Sequence, residues 1–152
     1  MSNQFVHIKE ALIAKGLSEL STTPFKYQSS DCSVKALAIV KNIPYQDALG
    51  YASDNFKRRF NKGVTLTNIT KGFLNDNSII TLNGREIKTY YNNQGKMVER
   101  SMTVGTFAKT YNKGKYFVVV RRHALAVVDG VIIDYSEGLR RPIQKAWRAI
   151  ED

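Results

Sequence analysis

The sequence contains a single cysteine, two histidines and three prolines in 152 residues. One cysteine closes no internal disulfide, and no cysteine and histidine cluster has zinc-ligand spacing, which excludes a disulfide scaffold and a zinc module. No stretch approaches the ~20 consecutive apolar residues that span a bilayer. The opening MSNQFVHIKEALIAKG lacks a cationic segment followed by an apolar run and a small-residue cleavage site. The expectation is a cytoplasmic protein without a membrane segment. Acidic residues are also scarce, 13 against 23 lysines and arginines, and the resulting net charge of +10 favours phosphate-rich or other acidic partners. No window is rich enough in Ser, Pro and Gly to predict disorder. A chain of this length buries roughly 70% of its unfolded surface, so one domain over residues 1–152 is expected.

From Asn3 to Lys15 the apolar residues Phe5, Ile8, Leu12 and Ile13 fall near helical spacing, which predicts an opening amphipathic helix stopped by Gly16. Residues 17–30, LSELSTTPFKYQSS, have no period and read as an irregular surface segment. Asp31, a preferred capping type, then precedes CSVKALAIVK, which has almost no polar face. This pattern predicts a buried central helix with Cys32 in its first turn.

Pro44 opens a helix running toward Phe60, with Lys57, Arg58 and Arg59 suited to its C-terminal end. A third short helix is expected within Thr65 to Asp76 despite Gly72. The pair Asn83–Gly84 predicts a peripheral hairpin, and Met102 to Gly114 another short helix ending near Asn112. The run KYFVVVRRHALAVVDGVIIDY is apolar around an Asp129–Gly130 break, which predicts a buried hairpin. Pro142 precedes an expected last helix carrying Ile143, Ala146, Trp147 and Ile150.

Three residue types then converge: a cysteine opening a buried helix, a histidine starting a buried strand and an aspartate on the partner strand. If Asp129 and Gly130 form a two-residue turn, Leu125 lies opposite Asp134 and His123 opposite Ser136, so His123 and Asp134 share a face. Diagonal neighbours lie roughly 7 Å apart, within reach of an imidazole and a carboxylate. A helix N-terminus and an adjacent imidazolium lower a thiol pKa, and a carboxylate on the far ring nitrogen steadies the imidazolium. Cys32, His123 and Asp134 supply nucleophile, base and orienter. Taken singly each is ordinary: a lone cysteine is more often a small core residue, and His7, without such company, is expected on a helix surface.

The segments DCSVKALAIVKNIPYQDAL, from Asp31 to Leu49, and HALAVVDGVIID, from His123 to Asp134, resemble a group of small phage and bacterial proteins of papain-like cysteine peptidase type. A more distant similarity is to bacteriocin-processing peptidases. The resemblance runs from about Tyr27 to Asp134 and rests on the Asp-Cys helix start, the Pro44–Tyr45 pair and the histidine and aspartate strands. It implies an α+β, papain-like fold in which a central helix carrying Cys32 packs on an antiparallel sheet carrying His123 and Asp134. It also implies a peptide or protein substrate, in host cytoplasm or virion if the chain is phage-encoded, with no cofactor and no metal. Papain-like enzymes usually place an oxyanion-hole glutamine about six residues before the cysteine; here Gln28 precedes Cys32 by four and is assigned that role through an altered loop.

Basic residues cluster at Lys57, Arg58, Arg59 and Lys62, and again at Arg121, Arg122, Arg140, Arg141, Lys145 and Arg148. A solvated face is the ordinary explanation for each cluster. Strand alternation would give Arg121 the face of His123, to bind an acidic substrate group, and turn Arg122 away. Two rivals to a hydrolase remain open: a basic module on a papain-like shell that binds nucleic acid or an acidic host protein, and a thiol acyltransferase of transglutaminase type.

Overall fold

A computed structural model describes residues 4–18 and 29–150. In chain order they form β1 (Gln4–His7), α1 (Ile8–Ala14), α2 (Cys32–Lys41), α3 (Tyr45–Asn55), α4 (Leu66–Leu74), β2 (Ile79–Thr81), a 3-10 turn (Gly84–Ile87), β3 (Lys88–Asn93), β4 (Lys96–Ser101), α5 (Val104–Thr110), β5 (Lys115–Val120), β6 (His123–Val128), β7 (Val131–Asp134) and β8 (Ile143–Ala149). The fold is mixed α+β: a six-stranded sheet ordered β1-β7-β6-β5-β8-β2, a separate β3-β4 hairpin and five α-helices among the described residues. The main sheet is antiparallel except at one edge, where β1 runs parallel to β7. No helix among the described residues is long and apolar enough to cross a membrane.

The strands of the long apolar run lack polar alternation because both faces of the sheet are covered. Phe117, Val119, Ala124, Ala126 and Ile133 pack on one side with α1, α2 and α3. Tyr116, Val118, Val120, Leu125 and Val127 pack on the other with Phe107 of α5 and Ile87 of the 3-10 turn. On the first side α2 lies against β6, burying every residue from Ser33 to Val40. Gly72 lets α4 approach α3 closely, since a Cβ there would lie 2.5 Å from both the Asn55 carbonyl oxygen and Phe56 Cδ1.

Four sequence expectations need correction. The opening segment starts as strand β1 before turning helical at Ile8, because the free edge of β7 offers backbone partners from Val131 to Asp134. Asn83 and Gly84 form no hairpin turn: the Asn83 side chain caps the 3-10 turn in a reciprocal box with Glu86, the other use for which an asparagine is well suited. The peripheral hairpin lies downstream, turning at Gln94 and Gly95, both with positive φ. The run from Lys115 to Asp134 contains a second two-residue turn at Arg121 and Arg122, so it makes three strands and not two.

The tail after Pro142 is strand β8, paired with β5 and β2, and not a helix. The pairing of β5 with β8 shifts between Val119–Lys145 and Val120–Ile143, leaving Gln144 as an extra residue. A bulge of this kind puts residues three apart on one face. Ile143 and Ala146 accordingly share one core while Trp147 enters the other, a spacing that imitates a helix.

Candidate active site

Asp31 occupies the N-cap position of α2, and Cys32 is the first helical residue. The Asp31 side chain does not cap the helix. Its buried carboxylate instead accepts from Lys35 Nζ at 2.5 Å and from Tyr45 Oη at 2.6 Å, while Tyr135 Oη donates from 3.4 Å. Lys35 Nζ also donates to Tyr135 Oη at 2.5 Å. This network ties the first turn of α2, which carries the thiol, to Tyr135 just beyond β7.

The turn at Asp129 and Gly130 has the expected register, with Val128 opposite Val131 and Ala126 opposite Ile133. Positive φ angles of 49° and 80° at the two turn residues set the right hand for the hairpin. One further step along each strand brings Asp134 opposite Leu125 and diagonal to His123. His123 Nε2 lies 2.5 Å from Asp134 Oδ1. Cys32 and His123 each shift the other's titration, so the thiol lies close to the ring. His123 and Asp134 are therefore in contact, and Cys32 borders the same cleft as His123.

The electrostatics follow from these contacts. Burial works against an ionised thiol, but hydrogen bonds from His123 and from the backbone N–H groups of Ala124 and Ser33, with the charge on His123, together hold Cys32 below its ordinary range. For His123, burial is overcome by Asp134 and Cys32, and the imidazolium pKa is pushed up to about 9. Asp134, 1% exposed, stays below the usual carboxylate range against its burial because His123, Arg141 and the Tyr135 N–H all favour its charged form. The stabilisation held by protonated His123 is complete below pH 6.5 and disappears as pH rises through about 9. That held by Asp134 is present above pH 3.8 and is lost on acidification through its lowered value.

Several participants carry no signal in the sequence pattern. Arg141 Nη2 binds Asp134 Oδ2 at 2.5 Å, so this arginine belongs to the site and is not part of a free basic face. Tyr135 stands beside His123 and His7, at ring-centroid distances of 6.0 and 5.6 Å. His7 is the N-cap of α1, accepting from the Lys9 N–H, and is paired in register with Asp134, not displayed on a helix surface. The buried network does have one: Lys35 is the lone cation inside the apolar stretch of α2, four residues after Asp31, and a buried cation needs a partner.

A cleft of about 580 Å³ opens beside Cys32 and His123. Val64, Thr65, Leu66 and Ile69 border it from the start of α4, and Val119, Val120 and Gln144 from the sheet. Arg121 and Arg122 both border it as well. Strand alternation does not apply to these two residues because they form the β5–β6 turn, so Arg122 is not turned away. Gln28, the expected oxyanion donor, lies outside the described residues, as does most of the segment preceding it.

Gly138 has a φ of +49°, and a Cβ there would collide with the Arg141 guanidinium. Gly138→Ala is expected to push that flexible group off Asp134, and loss of the cation beside the carboxylate should raise the pKa of Asp134 and of His123. Titration of the histidine by NMR, with a melting curve as control for folding, checks this.

Comparison with protein-family models, curated proteins and solved structures gives no match.

Proposed function

We propose that the chain is a papain-like cysteine hydrolase, a peptidase or isopeptidase, with Cys32 as nucleophile, His123 as acid and base, and Asp134 as orienter. The observation that carries this reading is the buried Asp134 carboxylate bonded to His123, with Cys32 and His123 together at the edge of an open cleft. A structural cysteine in a core needs neither a charged histidine nor a cleft.

In the proposed reaction the Cys32 thiolate attacks a substrate carbonyl carbon, and the electron pair of the C=O bond moves to oxygen. The N-terminus of α2 and the backbone N–H of Cys32 favour that oxyanion. Collapse breaks the C–N bond, and the His123 imidazolium gives its proton to the departing amine. The thioester left on Cys32 is then opened by water, whose proton goes to His123, and the acid leaves with the thiolate restored. The raised His123 pKa suits the first transfer, and the reaction should decline as pH rises through about 9, where the imidazolium is lost.

Incubation with a library of denatured peptides, followed by mass spectrometry for new termini, tests the reading. New termini with the native chain and none with Cys32→Ala are expected. Masses corresponding to an added amine, when one is supplied, would instead mark acyl transfer as the outcome. No covalent change to any peptide, at any pH between about 5 and 9, would contradict both.

A further inference from the structure

The cleft beside Cys32 has a charge pattern that the proposed chemistry leaves unused. Arg121 and Arg122 are exposed at its border, and neither forms an ion pair among the described residues. No aspartate or glutamate among the described residues borders the cleft. Arg141, by contrast, is committed to Asp134. Two arginines thus border an opening to which the described residues contribute no carboxylate.

Their backbone position adds an independent observation. Arg122 has a φ of 60°, a left-handed conformation that glycine or asparagine adopts at lower cost, and turns of this kind usually carry those residues. An arginine held where a glycine fits better is a local strain, and such strain gathers at functional positions. Arg122 also precedes His123 directly, about 3.8 Å away between Cα atoms. A group bound by this turn therefore shares one cleft with a carbonyl presented to Cys32. The opposite border is apolar, made by Val64, Leu66 and Ile69.

We propose that the substrate is an acidic peptide segment, with a glutamate or aspartate carboxylate beside the scissile bond held by Arg121 and Arg122, and an apolar neighbour against Val64, Leu66 and Ile69. Guanidinium groups bind carboxylates through paired N–H donors, which fixes the register of the segment as well as its charge. This deepens the hydrolase reading and rests on Cys32 being the reactive centre of the cleft.

The test compares alkylation of Cys32 by iodoacetate and by iodoacetamide, which differ in one negative charge, in the native chain, in the Arg121→Gln/Arg122→Gln double variant and in Arg122→Gly. The iodoacetate-to-iodoacetamide rate ratio should fall about threefold or more in the double variant, and the difference should close in about 0.5 M NaCl. Any change in thiol reactivity alters both rates alike and cancels in the ratio. Arg122→Gly should lower the ratio while raising Tm, since it relieves the turn. In parallel, acetyl-Leu-Glu-Gly-Leu amide should protect Cys32 from iodoacetamide better than its Gln counterpart, and lose that advantage in the double variant. Equal ratios in native and double-variant chains, or equal protection by the Glu and Gln peptides, would overturn the proposal. So would protection by a single-stranded oligonucleotide and by neither peptide, which would assign the arginines to phosphate. Slow iodoacetamide labelling independent of His123 would fail the hydrolase reading instead, and the ratio within each protein would still report on the arginines.

Discussion

Asp134→Asn is expected to raise the Cys32 pKa and slow its alkylation near pH 6 about tenfold, with a modest fall in Tm. The substitution keeps the shape and one acceptor for the His123 N–H, but removes the charge that stabilises the imidazolium. Arg141 loses its ion-pair partner too, yet its side chain is 34% exposed and can turn to water. Asp134→Ala should cost more on both counts, because nothing then orients the ring and the space left is buried. Asp129→Asn should change little: the Asp129 Oδ1 that accepts from the Gly114 N–H is replaced by an equivalent acceptor, and asparagine suits its φ of 49°. Measuring thiol pKa and Tm side by side for the three variants separates a role set by hairpin register from mere nearness in sequence. A register slipped by one residue would turn Asp134 to the opposite face and remove its effect.

The second large effect is expected behind the nucleophile. Lys35 and Asp31 form an ion pair whose side chains are each 3% exposed. Removing one partner of such a pair leaves an uncompensated charge in the interior and typically costs about 3–5 kcal/mol. Lys35→Ala should therefore lower Tm by on the order of 10 °C in a chain of this length. The double substitution Lys35→Met with Asp31→Asn removes both charges and keeps an acceptor for Tyr45, and should recover much of that loss. Urea unfolding of Lys35→Met, Asp31→Asn and the double variant gives the coupling directly. Recovery of stability without recovery of Cys32 reactivity would mean that the network positions the thiol as well as supporting the fold.

How much of this is legible in the sequence depends on which residues local rules govern. The register around Asp129–Gly130 is readable because a two-residue turn with those residue types fixes every pairing behind it. The burial of α2 is readable from its apolar faces. The tail reads wrongly as a helix because an extra residue at Gln144 shifts the strand pattern from two to three, and no local property of Ile143, Ala146 and Trp147 distinguishes that from a helix. Asn83–Gly84 reads wrongly as a hairpin turn because asparagine serves a cap as well as a turn, and here Glu86, three residues on, completes the cap. Arg141 and Tyr135 join the site through tertiary approach, which sequence spacing does not carry. The α+β class emerges from the pattern of elements, whereas the cleft depends on where the start of α4 and the β5–β6 turn meet, and only the assembled fold brings them together.

The central claim is that Cys32 is an activated thiol paired with His123, and the rate of its alkylation by iodoacetamide as a function of pH tests it most directly. The native chain should still react at about pH 6, where an ordinary thiol is mostly protonated, and His123→Ala should shift the profile upward to that of an ordinary thiol. A native profile that rises only at alkaline pH and does not move in His123→Ala would contradict the account and leave Cys32 as a structural residue at the start of a buried helix.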